Sequence, residues 1–457
     1  MVRDQLTRLL YHRLQTFCIG IVCLGILYLG ISATNANAEQ LELVIIHTND
    51  FHGHIREEKN YAGAARISAF VKQQRARYPR VLFLDAGDAI SGTPVSTMFH
   101  GLPIFKVMNA MSYDVGLLGN HEFDHGYKQI EKFREIANQP LLSANALDPN
   151  GKLIGDNASL ITEVEGITIG IIGVVTDNTP NMISPIGNEG LTFLDPETVL
   201  MERVQELRPK VDLLVVLSHV GHEEEKALAA AVPGIDIIVG GHSHTYVKTP
   251  VKIGSTYVAQ AHRYGSHIGF MRMTVDTTSN SITDFTGKLV PASELPEPDL
   301  AVLETVKSWE EKVADLVDVQ IATSSREILP GELQGMFEKI IADAAGADFG
   351  YYNIGGIRDT IPMGPVTARH IWNIEPFGNT LVTLTIKGSD YLILLGREHE
   401  MHPDMQSIKP DKTYLIATNS YVGAHATKTF GENVQIRQLG VLIRDVLIAE
   451  IKEKGLE

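Results

Sequence analysis

Short apolar runs recur along the chain, and each leads directly into a group of imidazole, carboxylate or amide side chains. Runs of four or five mainly apolar residues, bounded by polar or glycine-rich turns, predict short buried strands. Each run therefore predicts a strand that ends in residues typical of a metal site. The runs cover residues 43–46, 81–84, 114–118, 213–217 and 235–239, and the polar groups after them cover residues 47–54, 85–88, 119–126, 218–219 and 240–244.

Helical periodicity separates these strands. Strands that alternate with helices, followed by a portion rich in strands, predict an α/β fold arranged as a four-layer α/β/β/α sandwich. The acidic run Glu223, Glu224 and Glu225 is interpreted as a solvated helix start, which the helix dipole favours. Predicted helices cover residues 63–77, 104–111, 128–138, 198–207 and 223–231, and further strands cover residues 167–175, 256–260 and 268–275.

A cluster of prolines at positions 291, 296 and 298 marks the expected end of the first domain. An amphipathic helix is predicted next, over residues 300–317. We therefore predict a catalytic domain over residues 39–295, a linker over 296–319 and a smaller α/β domain over 320–457. The apolar face predicted for the linker helix consists of Leu303, Val306, Val313 and Leu316.

The first 38 residues have the pattern of a signal peptide. Arg3, Arg8 and Arg13 precede or border an apolar run over residues 17–31, and small residues at 36–38 suit a cleavage site. This pattern predicts an exported protein, periplasmic or extracellular, whose mature chain begins at Glu39. The competing interpretation is an uncleaved membrane anchor, because the run approaches the length of a membrane span.

Composition narrows the classes of partner. The only two cysteines, Cys18 and Cys23, lie in the predicted signal peptide, so disulfides would contribute nothing to the mature chain. Removal of this segment leaves 36 basic and 54 acidic residues, a net charge of −18. That charge argues against nucleic-acid binding, which needs clustered Lys and Arg. A small phosphorylated substrate stays compatible, because bound metal ions reverse the local charge. No contact with a membrane is expected after cleavage.

The strand ends supply candidate ligands for two metal ions. Ligands in α/β folds gather beyond the carboxyl ends of the strands, so these separate ends can meet. Seven oxygen and nitrogen donors exceed the needs of one tetrahedral ion, whereas two ions sharing Asp88 as a bridge use them all. Such a pair, about 3.5–4 Å apart, can generate a hydroxide and hold the oxygens of an in-line displacement at phosphorus. The candidate ligands are Asp50, His52, Asp88, Asn120, His219, His242 and His244. This mixed donor set suits Mn, Zn, Fe or Co.

These motifs carry a family resemblance. Asp50-Phe51-His52-Gly53, Gly87-Asp88, the stretch 119–124, Ser218-His219 and the stretch 240–244 resemble the calcineurin-like metallophosphoesterases. With Gly355-Gly356-Ile357-Arg358 and Pro376-Phe377-Gly378-Asn379, the chain resembles the exported two-domain 5′-nucleotidases, a group that includes UDP-sugar hydrolases and 2′,3′-cyclic-nucleotide phosphodiesterases. The resemblance covers nearly all of the chain after the predicted signal peptide.

The resemblance implies a role for each motif residue. One metal would be held by Asp50, His52, Asp88 and His244, and the other by Asp88, Asn120, His219 and His242. Such families often carry glutamine at the position of His244. His121, paired with Asp124, would stabilise the phosphoryl transition state and protonate the leaving oxygen. An imidazolium can neutralise developing charge, and a carboxylate partner raises its pKa. The alternative for Asp124 is a helix N-cap.

Residues of the second domain are expected to bind the substrate, together with Asn120. Arg358 could hold a phosphate in bidentate fashion, although a surface ion pair with Asp359 or Glu375 is the alternative. By resemblance, Phe377 would stack on a base and Asn379 would contact a base edge.

The chain also departs from its relatives in two segments, residues 329–336 and 422–430. The second segment replaces a glycine-rich stretch that would carry another stacking aromatic residue. Tyr421 or Phe430 is the candidate replacement.

The leading hypothesis is an exported dinuclear phosphohydrolase of the 5′-nucleotidase type, which releases phosphate from nucleoside monophosphates or related esters by attack of a metal hydroxide. A thiosulfohydrolase-like sulfur enzyme on the same two-domain plan is an alternative. A third hypothesis is a non-catalytic binding protein whose metals brace loops. No pattern in the sequence specifies an oligomeric state.

Overall fold

The computed structural model describes residues 40–183, 190–398, 403–431 and 434–456. The predicted signal peptide lies outside these residues. Two layered α/β units follow one another along the chain, which confirms the predicted fold class. The boundaries proposed for the domains stay predictions. Within the described ranges, every helix is too short or too polar to cross a membrane.

The first unit is built on two sheets that face each other. One has the strand order β14–β13–β1–β2 and the other β11–β12–β10–β9–β7–β6. The strands are β1 Gln40–Thr48, β2 Val81–Asp85, β3 Gly116–Leu117, β4 Leu141–Leu142, β5 Ala146–Leu147, β6 Ser159–Val164, β7 Ile167–Val175, β8 Thr192–Phe193, β9 Leu213–His219, β10 Ile237–Gly240, β11 Val251–Ile253, β12 Thr256–Ala259, β13 His267–Asp276 and β14 Ser281–Pro291.

Helices cover the outer faces of both sheets, completing the four layers. Apolar side chains that face inward from the two sheets, such as Leu43, Ile45 and Val215, form a buried core between the sheets. A second core lies between the first sheet and its helices, and a third between the second sheet and its helices. The helices are α1 Gly63–Arg77, α2 Pro94–Met98, α3 Leu102–Met111, α4 Tyr127–Ile136, α5 Pro196–Leu207, α6 His222–Ala231 and the connecting helix α7 Leu300–Val317.

Hydrophobic patterning predicted many of these elements closely, but not α2, β6 or β14. The helices α1 and α7 and the strand β7 match their predicted ranges, and the other predicted helices begin and end within two residues of prediction. The run at 114–118 is shorter than predicted as a strand, because only β3 within it forms a ladder, while Val115 adds a single bridge to Leu84 of β2. The face predicted for α7 was partly wrong. Leu316 is 67% exposed, whereas Val302 and Val317 are buried with Val306 and Val313.

The second unit has a four-stranded sheet of order β16–β19–β18–β20 and a separate pair, β15–β17. Its core packs α8 and α12 against the sheet through side chains such as Phe337 and Leu447. Its elements are β15 Gln320–Ser324, α8 Pro330–Ala345, β16 Phe349–Gly350, β17 Gly364–Thr367, α9 Ala368–Ile374, β18 Thr380–Lys387, α10 Gly388–Glu398, β19 Thr413–Asn419, α11 Ser420–Phe430, β20 Gln435–Leu442 and α12 Ile443–Lys454.

Parallel pairing explains why distant segments meet at one place. β1 runs parallel to β2, and β7, β9, β10 and β12 run parallel within the second sheet. The carboxyl ends of parallel neighbours lie at the same edge of a sheet, where ligands of α/β proteins gather. The loops after β1 and β2 therefore lie together at one edge of the first sheet, and those after β9 and β10 lie together at one edge of the second. Because the two sheets face each other, the two pairs of loops meet.

Candidate active site

The structure brings the seven candidate ligands into one buried centre. Their imidazole and carboxylate groups, together with His121, form three overlapping clusters, in each of which the possible ligand atoms lie within 4.8 Å of one another. The amide of the seventh residue, Asn120, joins the centre through its Oδ1, which lies 2.9 Å from Nδ1 of His242. The clusters are Asp50, His52 and His244; His52, Asp88 and His121; and Asp88, His219 and His242.

Asp88 lies in the middle of this centre. Its Oδ2 is 3.0 Å from Nε2 of His219 and 3.7 Å from Nε2 of His52, so one carboxylate oxygen faces two different clusters. Burial raises the pKa of Asp88, but the imidazoles of His219, His121 and His52 outweigh burial and hold it well below its usual range. The carboxylate is therefore held in its ionised form between two groups of candidate ligands.

The donor chemistry fits metal binding. His219 Nε2 is fully buried without a hydrogen bond and lies 3.0 Å from Asp88 Oδ2, so a cation bound between the two would satisfy both buried atoms. Nε2 of His52 lies 3.2 Å from Nε2 of His244. Two nitrogens bound to one tetrahedral ion lie about 3.4 Å apart, given metal–nitrogen distances of 2.0–2.1 Å. Asp50 completes this cluster, with Oδ1 3.3 Å from His244 Nε2.

Backbone carbonyls orient two of the imidazoles. His52 Nδ1 donates to the carbonyl of Ser91 at 2.8 Å, and His219 Nδ1 donates to the carbonyl of Ala86 at 2.7 Å. A carbonyl oxygen can only accept, so each ring keeps its proton on Nδ1 and directs the Nε2 lone pair into the centre. This arrangement is typical of histidines that bind metals.

Most of the candidate ligands have a left-handed backbone. This conformation costs a residue other than glycine about 1–2 kcal/mol, and it clusters at functional sites. The rest of the fold must hold these loops in place against that cost. The residues and their φ angles are Asp50 (50°), His52 (48°), Asp88 (54°), His242 (74°) and His244 (53°).

Glu122 is a residue whose role the sequence did not reveal. Its buried carboxylate accepts hydrogen bonds from the backbone of Gly119 at 2.7 Å, Asp88 at 3.0 Å and Ala89 at 2.9 Å. It thus ties the loop after β2 to the loop after β3. Burial, with a contribution from the Asp88 charge, raises the pKa of Glu122 to about 7. The only signal in the sequence was an acidic residue between two motif residues and the apolar Phe123.

His121 and Asp124 lie beside the candidate metal centre. Nδ1 of His121 donates to Oδ2 of Asp124 at 2.7 Å, and its Nε2 lies 3.9 Å from Oδ2 of Asp88. Burial disfavours the imidazolium, but the carboxylates of Asp124 and Asp88 outweigh burial and raise the pKa of His121. The helix-cap alternative for Asp124 is not observed, because the N-cap of α4 is Gly126 and no side chain caps that helix.

A cavity of about 750 Å³ opens from this centre and is lined by residues of both units. Arg358 reaches in from the second unit, and its Nη2 donates to His52 Nε2 at 3.3 Å. The ring of Phe377 stacks on His121 with centroids 5.6 Å apart. The cavity therefore places a guanidinium and an aromatic face directly beside the candidate metal ligands. Other lining residues from the second unit include Asn353, Asn379, Ser420, Tyr421 and Gln438.

Asn379 lines the cavity, but its amide is bonded to the protein. Its Nδ2 donates to Glu375 Oε1 at 2.8 Å, while its Oδ1 accepts from Ser420 Oγ at 3.0 Å and from the Tyr421 amide at 3.2 Å. Its contact with a substrate stays a prediction. Of the two candidate replacement aromatics, Tyr421 lines the cavity. Phe430 is the last residue of α11.

Direct bonds between the two units close one side of the cavity. The Tyr421 hydroxyl donates to the carbonyl of Asn181 at 2.7 Å, and Lys428 Nζ donates to the Asn181 side chain at 2.9 Å. Thr97 Oγ1 donates to the carbonyl of Pro376 at 3.1 Å. These bonds connect α11 and the Phe377 loop to the unit that carries the candidate metal ligands.

Comparisons with known proteins agree with this architecture. Residues 43–246 match the calcineurin-like phosphoesterase family, and residues 312–405 match the 5′-nucleotidase C-terminal domain. A solved structure of the 5′-nucleotidase precursor from Thermus thermophilus superposes with a TM-score of 0.82 and 26% identity, covering 91% of this chain and 97% of that chain.

Two curated relatives illustrate the range of lengths. The chain is 27% identical over 474 residues to the endonuclease YhcR of Bacillus subtilis, but spans only 38% of the length of that protein and 89% of its own. It is 31% identical over 421 residues to the 5′-nucleotidase of Vibrio cholerae, covering 77% of this chain and 74% of the relative. These relatives and neighbours are hydrolytic enzymes, and the chain belongs to the 5′-nucleotidase family of calcineurin-like phosphoesterases.

Proposed function

We propose that this protein is a two-metal phosphohydrolase that releases phosphate from nucleoside 5′-monophosphates. The observation that carries the proposal is the position of Asp88, one oxygen of which faces both His219 and His52. A single cation would not need a carboxylate shared between two clusters. We assign Asp50, His52, Asp88 and His244 to one ion, and Asp88, Asn120, His219 and His242 to the other.

Two divalent ions bound at these residues would polarise the phosphoryl oxygens and make water a nucleophile at neutral pH. Carboxylate, imidazole and amide donors suit manganese, zinc, iron or cobalt. Such cations would offset the negative charge on Asp50 and Asp88. They would also attract a phosphate dianion to the site, although the chain as a whole is acidic.

His121 is assigned to the charge that develops on the phosphoryl group. The carboxylates of Asp124 and Asp88 raise the pKa of His121 and so favour the imidazolium, and Asp124 holds Nδ1 so that Nε2 points toward the reacting centre. A proton on Nε2 can stabilise a phosphoryl oxygen or pass to the leaving oxygen. Arg358 adds a guanidinium from the second unit, 3.3 Å from His52 Nε2, with the fork geometry that suits phosphate.

The lining that the second unit contributes to the cavity suits a nucleoside. Phe377 offers an aromatic face, and Tyr421 offers a second ring from α11. Asn353 and Gln438 supply neutral amides in the same lining. Stacking between rings and hydrogen bonds to amides recognise a planar base without requiring charge. We propose that these residues hold the base while Arg358 and the metals hold the phosphate.

The test is a substrate panel with the full-length mature protein supplied with Mn²⁺. It includes nucleoside 5′-monophosphates, UDP-glucose, 2′,3′-cyclic AMP and a protein-linked thiosulfonate, and the measured products are orthophosphate, the nucleotides and sugar phosphate formed from the two diesters, and sulfate. We expect the monophosphates to have the highest kcat/KM and to yield one phosphate each. Preferential cleavage of the thiosulfonate would replace the proposal with the sulfur enzyme, and no hydrolysis of any compound would support the binding-protein alternative.

We also propose that the protein acts outside the cytoplasm, on the strength of the signal-peptide pattern in residues 1–38. Mass spectrometry of protein purified from the producing cell should give an N-terminus at Glu39. An intact N-terminus in a membrane fraction would support the anchor alternative.

A further inference from the structure

One five-residue loop reaches both candidate metal positions. The segment 241–245 follows β10 and carries His242, which belongs to the Asp88 and His219 cluster, and His244, which belongs to the Asp50 and His52 cluster. Both histidines have a left-handed backbone, with φ of 74° and 53°. The shape of this loop therefore sets the separation between a ligand of one ion and a ligand of the other.

Both ends of the loop are held by one buried pair, Glu225 on α6 and Gln260 at the end of β12. Gly241 N donates to Glu225 Oε1 at 3.1 Å, and Gln260 Nε2 donates to the carbonyl of Gly241 at 2.7 Å. At the other end, Thr245 N donates to Gln260 Oε1 at 2.9 Å. Gln260 Nε2 also donates to Glu225 Oε2 at 2.9 Å, which joins the pair itself.

The pair is fully buried and matched in donors and acceptors. Glu225 and Gln260 are both 0% exposed, so the prediction that Glu225 belongs to a solvated helix start was wrong. Both amide hydrogens of Gln260 are used, one on Gly241 and one on Glu225, and its oxygen also accepts from Ser243 Oγ at 3.2 Å. Replacement of Glu225 or Gln260 would leave buried donors or acceptors of its partners without a matching hydrogen bond.

The neighbouring backbone is shaped around this pair. A Cβ added to Gly240 would overlap the Glu225 carboxylate, and one added to Gly241 would lie 2.7 Å from His219 Nδ1. The two glycines thus let the loop lie against Glu225 on one side and against a candidate ligand on the other. Only glycine fits at such close approach, because any other residue would add a Cβ.

We propose that Glu225 and Gln260 are positioning residues that set the separation of the two metal ions by holding both ends of the 241–245 loop. The inference rests on the two-metal centre of the proposed function. Neither residue touches the ions. They act through the backbone on either side of His242 and His244, which would otherwise lose the left-handed conformation that directs the two rings to different clusters.

The experiment compares metal binding in the parent protein with two conservative variants, Glu225→Gln and Gln260→Met. Glu223→Gln is the matched control, because Glu223 lies on the same helix with its side chain 79% exposed. Each metal-free protein is titrated with Mn²⁺, with bound metal measured by equilibrium dialysis. Electron paramagnetic resonance then distinguishes an exchange-coupled manganese pair from isolated ions, and circular dichroism reports folding.

We expect the parent and Glu223→Gln to bind two Mn²⁺ as a coupled pair. In both test variants the dissociation constant of the weaker ion should rise about 10–100-fold, the range typical of residues that orient ligands. The coupled spectrum should give way to that of isolated Mn²⁺. A purely structural role would lower the melting temperature of the metal-free protein without changing the coupling.

The inference is overturned if folded Glu225→Gln and Gln260→Met bind two ions with parental affinity and a parental coupled spectrum. Loss of the folded state in both variants would also overturn it, because the pair would then serve the fold and not the centre. Absence of a coupled pair in the parent would refute the two-metal proposal itself, and this inference with it. Failure of the proposed function is thus seen in the parent, and failure of this inference only in the variants.

Discussion

At the scale of single residues, three histidines of the centre are oriented by hydrogen bonds that they make outside it. Carbonyls hold the Nδ1 atoms of His52 and His219, and the Asp124 carboxylate holds that of His121. Each imidazole is thereby limited to one task, because its second nitrogen alone faces the centre. His52 and His219 are thus oriented for metal binding, and His121 for contact with the substrate.

His121→Ala should separate chemistry from metal binding. Removal of an acid or electrostatic group at the transition state typically costs a factor of about 10²–10⁴ in rate. We expect kcat for a nucleoside monophosphate to fall by that factor, while metal analysis still finds the parental metal content. A variant that retains parental kcat would contradict the role assigned to His121, and a variant that loses its metals would assign His121 to binding.

Glu122→Gln should destabilise the junction between the two ligand loops. The variant replaces one carboxylate oxygen with an N–H₂ group that faces backbone donors of Gly119 or Asp88. A buried donor without an acceptor costs about 1–3 kcal/mol. Urea unfolding of the metal-free protein should show that loss, whereas Glu131→Gln, at an exposed position on α4, should leave the free energy of unfolding unchanged.

At the scale of elements, the connecting helix α7 belongs to the core of the first unit. Val302, Val306 and Val313 are buried in the same cluster as residues of α1 and α3. Asp299 caps its first turn by accepting from the Ala301 amide at 3.0 Å. The helix is therefore packed against its neighbours along its length and anchored at its start.

Asp299→Ala should weaken that anchor. The side chain caps α7 and also accepts from Ser68 Oγ on α1 at 3.0 Å, in addition to its ion pair with Lys72. Loss of an N-cap costs about 0.5–2 kcal/mol. The free energy of unfolding should fall by at least that amount, with kcat and KM preserved. Asp315→Ala, at an exposed position on the same helix, provides the control and should have no effect. Equal stability of the two variants would refute the anchoring role.

At the scale of the whole molecule, the cavity exists because two units with separate cores face one another. Candidate metal ligands come from the first unit, while Arg358, Phe377 and Tyr421 come from the second. Bonds from Tyr421 and Lys428 to Asn181 hold the two sides together. Substrate affinity should therefore depend on contacts that lie outside the candidate metal centre.

Tyr421→Phe should raise KM while preserving kcat. The change keeps the aromatic ring but removes the hydroxyl that donates to Asn181. A single hydrogen bond contributes about 0.5–1.5 kcal/mol, which corresponds to an increase in KM of about 2- to 12-fold. Tyr421→Ala should raise KM further, because stacking is lost as well. If Tyr421→Ala and Tyr421→Phe have the same KM, the ring does not contact the substrate.

Removal of metal should destabilise the folded protein as well as abolish activity. Ions that bind only the folded state contribute about 2.7 kcal/mol when present at 100 times their dissociation constant. Chelation should lower the melting temperature, and Mn²⁺ should restore it. In Asp88→Asn, where the shared carboxylate is lost, chelation should change the melting temperature much less. An unchanged melting temperature in the parent would contradict metal binding at this buried centre.

The sequence by itself determined the secondary structure and the family. Helices α1 and α7 follow from periodic burial along one face, which is a local property of the chain. The candidate ligands also followed from local pattern, because each comes directly after an apolar run. The tendency of ligands in α/β folds to gather beyond the carboxyl ends of strands was enough to predict that residues as far apart as Asp50 and His244 would meet.

Only the tertiary structure decided which polar residues support that centre. Glu225 has the same sequence context as Glu223, yet it is buried because Gln260 and Gly241 lie against it. Leu316 has an apolar side chain, yet it is exposed because no neighbouring element covers that side of α7 within the described residues. Such outcomes depend on partners that are distant along the chain, and a local pattern of apolar and polar positions carries no information about those partners.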